Sequence, residues 1–204
     1  MAGVPHDQPV AERADARRNR ERLVRAARDA IAEKGLEVSA LEIAERAGLG
    51  VGTLYRRFTT KGNLLEAVFL DLMGELTEAA RTAINDPDPW HGLTGFLAVM
   101  TRAQRANHGL SELIGAEQDP ALRRATKELR QALHGLVHRA REAGVLRDDV
   151  TSGDVAFLAK ATLVGQRCIG ISASRDQSER VLAVMLDGLR PPGRTPVPGR
   201  PPAD

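Results

Sequence analysis

Residues 39–58, SALEIAERAGLGVGTLYRRF, constrain the fold more than any other stretch. Ser39 and Glu42 form an S-x-x-E capping box, in which a hydroxyl and a carboxylate each satisfy an N–H that the first helical turn leaves unpaired. This predicts a helix running through Ala47 and stopped by Gly48. Gly48, Gly50 and Gly52 then alternate, and a third short helix is expected from about Val51 to Phe58. Two chemistries compete for such a glycine cluster. A dinucleotide loop needs G-x-G-x-x-G directly after a strand, so that a helix N-terminus meets the pyrophosphate. Here Thr53 stands where the last glycine is required, LEIAERA before the loop has helical rather than strand character, and no G-K-[ST] follows. The alternative is a helix-turn-helix. Ala44 is small where the two helices must approach, Gly48 can take positive φ in the tight turn, and Ile43, Ala47, Leu49 and Leu54 fall where the bridging core must lie. Between Arg46 and Leu65 there is no acidic residue, as a surface facing DNA phosphate requires. The residues favour the DNA-binding reading over a nucleotide-binding enzyme using the Gly48-Gly52 loop.

The remaining punctuation is helical throughout, so the expected fold class is all-α. From Arg17, Leu23, Ala27, Ala30 and Ile31 share one face, and Gly35 closes that helix. Thr60 can cap a long fourth helix whose Leu65, Val68, Phe69, Leu72 and Leu76 recur at helical spacing. Asp88-Pro89 and Asp119-Pro120 each place a capping acid before proline at the first helical position. Thr151 and Asp154 form another box, opening an apolar helix expected to reach about Ile171, and Val181, Val184, Met185 and Leu189 mark the face of a last helix. No hairpin signal is read. The domain boundaries follow: a disordered arm at 1–16, a helix-turn-helix domain at 17–62, a helical domain at 63–190, and at 191–204 a proline-rich tail with nothing to bury, expected to be disordered or extended.

Aromatic residues make up only 3% of the chain, so its core must be aliphatic, which suits packed helices better than a β-sandwich. The formal charge of +2 says little by itself about partners; the distribution of arginines says more. A single cysteine, Cys168, and the lack of a signal-like or membrane-spanning apolar run point to the cytoplasm. His134 and His138 have helical i, i+4 spacing, but no third ligand or H-E-x-x-H pattern accompanies them, so no metal and no cofactor are expected. No nucleophile–base or paired-carboxylate constellation can be assembled, and catalysis is not expected.

The elements I-A-x-x-A-G, G-T-L-Y-x-x-F and T-K-x-x-L-L stand in register in IAERAGLGVGTLYRRFTTKGNLLEAV. Over residues 20–68 the chain resembles the DNA-binding head of the tetracycline-repressor (TetR) family. The resemblance implies a three-helix head joined by helix four to a larger helical domain for ligand binding and dimerisation. It also implies a transcriptional regulator, a repressor released from a palindromic operator by a small-molecule effector; an activator or global DNA-binding protein on the same fold is the alternative. Two positions depart from the family pattern: Gly50, where Ser or Thr is frequent, and Ala40, where a second Thr often stands, leaving Ser39 as the nearby hydroxyl.

By that resemblance the third helix enters the major groove, with Val51 and Gly52 at its floor and Thr53 against a base edge. Tyr55 and Lys61 match family positions that hold phosphate. Arg56 and Arg57 can read guanine or clamp phosphate, while Arg17, Arg18 and Arg20 fit either contacts from the arm or a solvated face. Three helices read only a few base pairs, so a homodimer on a pseudo-palindrome is expected. The dimer surface is expected on the last two helices, from Ala159, Ala161, Thr162, Leu163, Gly165, Val184, Met185 and Leu189. The family also implies an effector pocket among the middle helices, for which Trp90, Phe96, Met100, Leu113, Leu136, Phe157, Ala161 and Cys168 are the candidates.

Overall fold

The structure, a computed structural model, describes residues 10–107, 119–163, 165, 167–191 and 195–202. Among these residues the chain forms eight helices: α1 Val10–Lys34, α2 Ala40–Arg46, α3 Val51–Phe58, α4 Lys61–Ala83, α5 Pro89–Ala106, α6 Pro120–Glu142, α7 Ser152–Ala161 and α8 Gln177–Gly188. A two-stranded antiparallel hairpin, β1 Arg167–Cys168 and β2 Ile171–Ser172, lies between α7 and α8. The described residues divide into two compact units. One runs to Leu70; the other takes in 71–106 and the described residues from 119 onward, so α4 begins in the first and ends in the second. No described helix is long and apolar enough to cross a membrane.

The first unit is built by its caps. Ser39 Oγ accepts from Glu42 N at 3.2 Å while Ser39 N donates back to Glu42 Oε2 at 2.9 Å, so the box at the start of α2 closes in both directions. At the other end Gly48 has φ +64, Gly48 N donates to Glu45 O at 2.9 Å, and Leu49 N donates to Ala44 O at 2.9 Å. That pair of bonds satisfies the last carbonyls of α2 and turns the chain sharply toward α3. Leu23, Ile43, Ala44, Leu54, Leu64 and Val68 are wholly enclosed from four different helices. Burying each large aliphatic side chain contributes about 1.5–3 kcal/mol against exposure.

The second unit has one aliphatic core. Leu76, Leu93, Phe96, Leu97, Leu136, Ala140, Val155 and Ala159 are buried in it together. Asp88 Oδ1 accepts from Trp90 N at 2.8 Å and opens α5; Asp119 Oδ1 accepts from Ala121 N at 2.6 Å and opens α6. Gly92 is required by close approach, since a Cβ there would stand 2.4 Å from Ala83 O at the end of α4.

Three boundaries differ from the expectations. Helix α1 starts at Val10, so 10–16 extend the helix expected from 17; residues 1–9 lie outside the described ones. The segment AERADA is rich in good helix formers, and helix propensity rather than apolar periodicity carries it. Helix α7 stops at Ala161 instead of reaching about Ile171, and a hairpin follows it. Thr162 turns its hydroxyl back to Ala159 O at 2.7 Å, and the TLVG run of β-branched residues and glycine resists helix. Gly170, at φ +84, and Ile169, at φ 45, then form the tight turn. Finally, the described part of the tail is fastened down. Arg147 Nη2 donates to Thr195 O at 2.6 Å and Val197 N donates to Asp149 Oδ2 at 2.9 Å.

Candidate nucleic-acid interface

Helix α3 buries Leu54 and Phe58, and Arg56 lies roughly half a turn around the helix from both. Its outward face therefore centres on Arg56, with Gly52 and Thr53 beside it. Arg56 Nη2 donates to Thr53 Oγ1 at 3.1 Å, which orients the guanidinium along that face. Tyr55 is 48% exposed. Gly52, Arg56 and Arg57 are exposed, whereas Val51 and Thr53 are half-buried at the start of the helix. No acid lies in α3, and the cations in its last turn, Arg56 and Arg57, sit where the helix dipole favours positive charge. Such a surface offers a bidentate fork, hydroxyls and uncompensated charge to a duplex.

Arg57 lies on the flank of that face. With Arg20, Phe58, Thr59, Asn63, Glu66, Ala67 and Leu70 it lines an open cleft of about 320 Å³ beside α1 and α4. The Arg20 guanidinium lies 5.6 Å from the centre of the Phe58 ring, a cation–π contact that holds it at the rim. On α1, Arg17 pairs with Glu21 at 3.7 Å and Arg18 with Asp15, and all four side chains are largely solvent-exposed. Exposed pairs of this kind are weak and give way readily to phosphate.

Two of the expected contact residues are already engaged. Lys61 Nζ donates to Leu36 O at 2.8 Å, leaving two of its three donors for another acceptor. The Ser39 hydroxyl is held in its capping box. The turn also has a support that local sequence patterns do not show: Arg22 Nη2 reaches across 25 residues to Ala47 O at 2.6 Å, directly before Gly48. The nearby acids are paired in the same long-range way. Lys34 Nζ donates to Glu42 Oε1 at 2.6 Å, and this bond, with those from Ser39, pulls the Glu42 carboxyl down to about 2. Arg46 grips both oxygens of Glu33 and lowers its pKa. These pairings join residues on different helices, so no spacing within the sequence signals them.

In the second unit the expected pocket residues separate. Phe96, Met100 and Leu136 are core, and half-buried Trp90 packs against that core with the Arg190 guanidinium 4.4 Å from its ring centre. Phe157 is 64% exposed, Ala161 is exposed at the end of α7, and Cys168 is exposed on β1, so these three do not line an enclosed pocket. The early end of α7 explains Cys168, which sits on a strand instead of an apolar helix. Leu113 lies outside the described residues. The expected dimer residues also divide. Ala159, Thr162 and Leu189 are buried in their own unit, Leu163 and Met185 are half-buried, and Gly165 and Val184 are exposed, Val184 to 74%. His134 and His138 have ring centres 6.2 Å apart, and His138 pairs with Glu142 at 3.1 Å; no cluster of metal-ligating residues is present among the described residues.

Residues 23–68 match a family model described as bacterial regulatory proteins, tetR family. Residues 88–191 match one described as transcriptional regulator SbtR-like, C-terminal domain. A TetR transcription regulatory protein from Mycobacterium vanbaalenii shares 34% identity over 88% of this chain and 99% of its own, with a TM-score of 0.66. A TetR transcriptional regulator from Streptomyces coelicolor shares 27% identity over 85% of this chain and 99% of its own, with a TM-score of 0.63. RolR, solved in complex with resorcinol, covers 92% of this chain and 98% of its own at 24% identity and a TM-score of 0.53, a likeness of fold alone.

Proposed function

This chain belongs to the TetR family of bacterial DNA-binding transcriptional regulators, and from that we propose that it is a homodimeric repressor whose two α3 helices read a pseudo-palindromic operator until a small-molecule effector releases them. The observation that carries the reading is the outward face of α3, where Thr53, Tyr55, Arg56 and Arg57 stand without an acid among them. Arg56, at the centre of that face and tied to Thr53, is the base reader, with Val51 and Gly52 against the groove floor. Tyr55 and the remaining donors of Lys61 hold phosphate on one side. Arg57 and Arg20, at the rim of their shared cleft, hold it on the other, and Arg17 and Arg18 add backbone contacts from α1. Ser39 serves the fold first, through its cap.

Phe157 on α7 and Val184 on α8 are large apolar side chains left in solvent, and they support a dimer face formed by those helices. The effector acts from the second unit by binding one of two conformations more tightly, the sole way a ligand can shift such an equilibrium. A regulator of this kind meets its operator in the cytoplasm and needs no catalytic group. The test is fluorescence anisotropy with a duplex carrying the upstream region of the regulated gene, repeated across salt concentrations. Arg57→Gln should weaken binding to every duplex and lower the salt slope by about one, whereas Arg56→Ala should reduce discrimination among sequences. Wild-type behaviour from both variants would refute the proposal.

A further inference from the structure

Helix α6 is rich in Lys and Arg, and most of its cations fall in one file. Arg123, Lys127, Arg130, His134, His138 and Arg141 succeed one another at three or four residues, so they lie within about 80° of one another around the helix. All six are exposed. At about 1.5 Å per residue, the file from Arg123 to Arg141 runs roughly 27 Å. Leu122, Leu133, Leu136 and Ala140 occupy a different flank, buried in the core, and that burial fixes the file on the outside.

The acids of α6 are Glu128 and Glu142, and both are engaged. Glu128 faces Arg81 of α4 at 3.9 Å, and Glu142 pairs with His138 at 3.1 Å. Lys127, Arg130 and Arg141 have no carboxylate partner among the described residues. In the first unit, by contrast, Lys34 pairs with Glu42 and Arg46 with Glu33 across helices. Along the file the neighbours three and four residues apart are cations themselves, Arg123 beside Lys127 and Lys127 beside Arg130. Such like-charge spacing weakens a helix, so it serves an outside anion and not the fold.

The surroundings select the kind of anion. No large apolar side chain of α6 is exposed, so the face lacks both the apolar centre of a protein interface and anything to insert into a lipid surface. The helix has no Phe, Tyr or Trp on which an unpaired base could stack. What remains is a straight, wet, arginine-rich line. Over roughly 27 Å a B-form duplex presents about sixteen phosphates, and guanidinium forks match them bidentately.

We propose that the exposed file on α6 is a second duplex-binding surface, which holds DNA phosphate without reading sequence and acts in addition to the α3 face. Arg123, Lys127, Arg130 and Arg141 make the contacts. The second unit thereby grips DNA in its own right, whatever sequence the first unit reads.

The experiment uses the full-length protein and a fluorescent duplex of arbitrary sequence, with anisotropy followed across salt concentrations. The triple variant Lys127→Gln/Arg130→Gln/Arg141→Gln should lower the salt slope by about two to three for each file engaged, and weaken binding about tenfold or more at about 0.1 M salt. Gln keeps helix propensity and the change removes like charges, so the Trp90 melting midpoint should not fall. Neutralising three exposed cations elsewhere in the unit, Arg102, Arg175 and Arg180, should leave the slope within about one of wild type. An unchanged slope in the α6 variant, an equal drop in the control, or a loss of binding accompanied by a lower Trp90 midpoint would each overturn the proposal. So would tighter capture of poly-glutamate, or of phosphatidylserine vesicles, than of duplex. The two surfaces fail separately. If the protein selects a symmetric sequence but the α6 variant keeps its slope, the second surface falls and the repressor reading stands. If arbitrary duplex binds through α6 while no sequence is selected, the repressor reading falls and the second surface stands.

Discussion

Gly48→Ala tests the turn on which the DNA-binding head depends. Gly48 holds φ +64, and a Cβ there would stand 2.9 Å from Arg22 Nη2. Placing an L-residue in the left-handed region costs about 1–2 kcal/mol. The Arg22 guanidinium, the far end of a flexible side chain, can move aside, but doing so gives up its bond to Ala47 O and adds about 1 kcal/mol. The loss of about 2–3 kcal/mol belongs to the first unit, where a small domain loses roughly 4–8 °C per kcal/mol. Tyr55 is the chain's sole tyrosine and lies in the first unit; Trp90 is its sole tryptophan and lies in the second, so the fluorescence of each reports its own unit. Gly48→Ala should lower the melting temperature seen by Tyr55 and leave that seen by Trp90 nearly unchanged. Gly50→Ala is the control. Gly50 has φ −73 and open space around its would-be Cβ, so its variant gives up only glycine's preference at the N-cap of α3 and should cost less than about 1 kcal/mol. Equal melting of Gly48→Ala and wild type, or equal damage from both substitutions, would refute the reasoning.

Other outcomes follow from the same geometry. The Glu42 carboxyl is depressed to about 2 by Lys34 and Ser39, so its contribution is complete above the ordinary carboxyl value of 4.5 and is lost as pH falls toward 2. Glu42→Gln, which can still cap, should flatten that part of the urea-midpoint profile against pH; an unchanged profile contradicts the assignment. His91, raised by Asp86, contributes in the opposite sense: its stabilisation is present below 6.5 and fades as pH rises through the folded value, so His91→Gln should remove that decline. Arg147 bonds Asp149, Gly188 O and Thr195 O, and Arg147→Ala should release the tail and destabilise the second unit, read as new proteolytic cleavage after residue 190 and a lower Trp90 midpoint. Val184→Asp should shift the sedimentation coefficient toward the monomer if α8 forms the dimer face.

What the sequence made legible was local. Ser39 with Glu42, Asp119 with Pro120, Thr151 with Asp154, and Gly48 each mark a helix end through bonds spanning three to five residues, and the structure forms every one of those caps. The end of α7 was less legible, because TLVG is apolar enough to read as continuing helix while its β-branching and glycine favour a stop. Outward and inward apolar positions look alike in sequence: Val184 faces solvent and Leu189 is buried, yet both fit one stripe. Tertiary bonds such as Lys61 to Leu36 O and Arg22 to Ala47 O each span 25 residues and leave no pattern to read.

The most direct measurement is selection of binding sequences from a random duplex pool by the wild-type protein and by Arg56→Ala in parallel. Wild type should enrich a two-fold symmetric sequence whose half-sites lie roughly one helical turn, about 34–36 Å, apart, and Arg56→Ala should retain binding but blur positions within each half-site. An asymmetric or unenriched wild-type pool, or the same sharp sequence from both proteins, would contradict it.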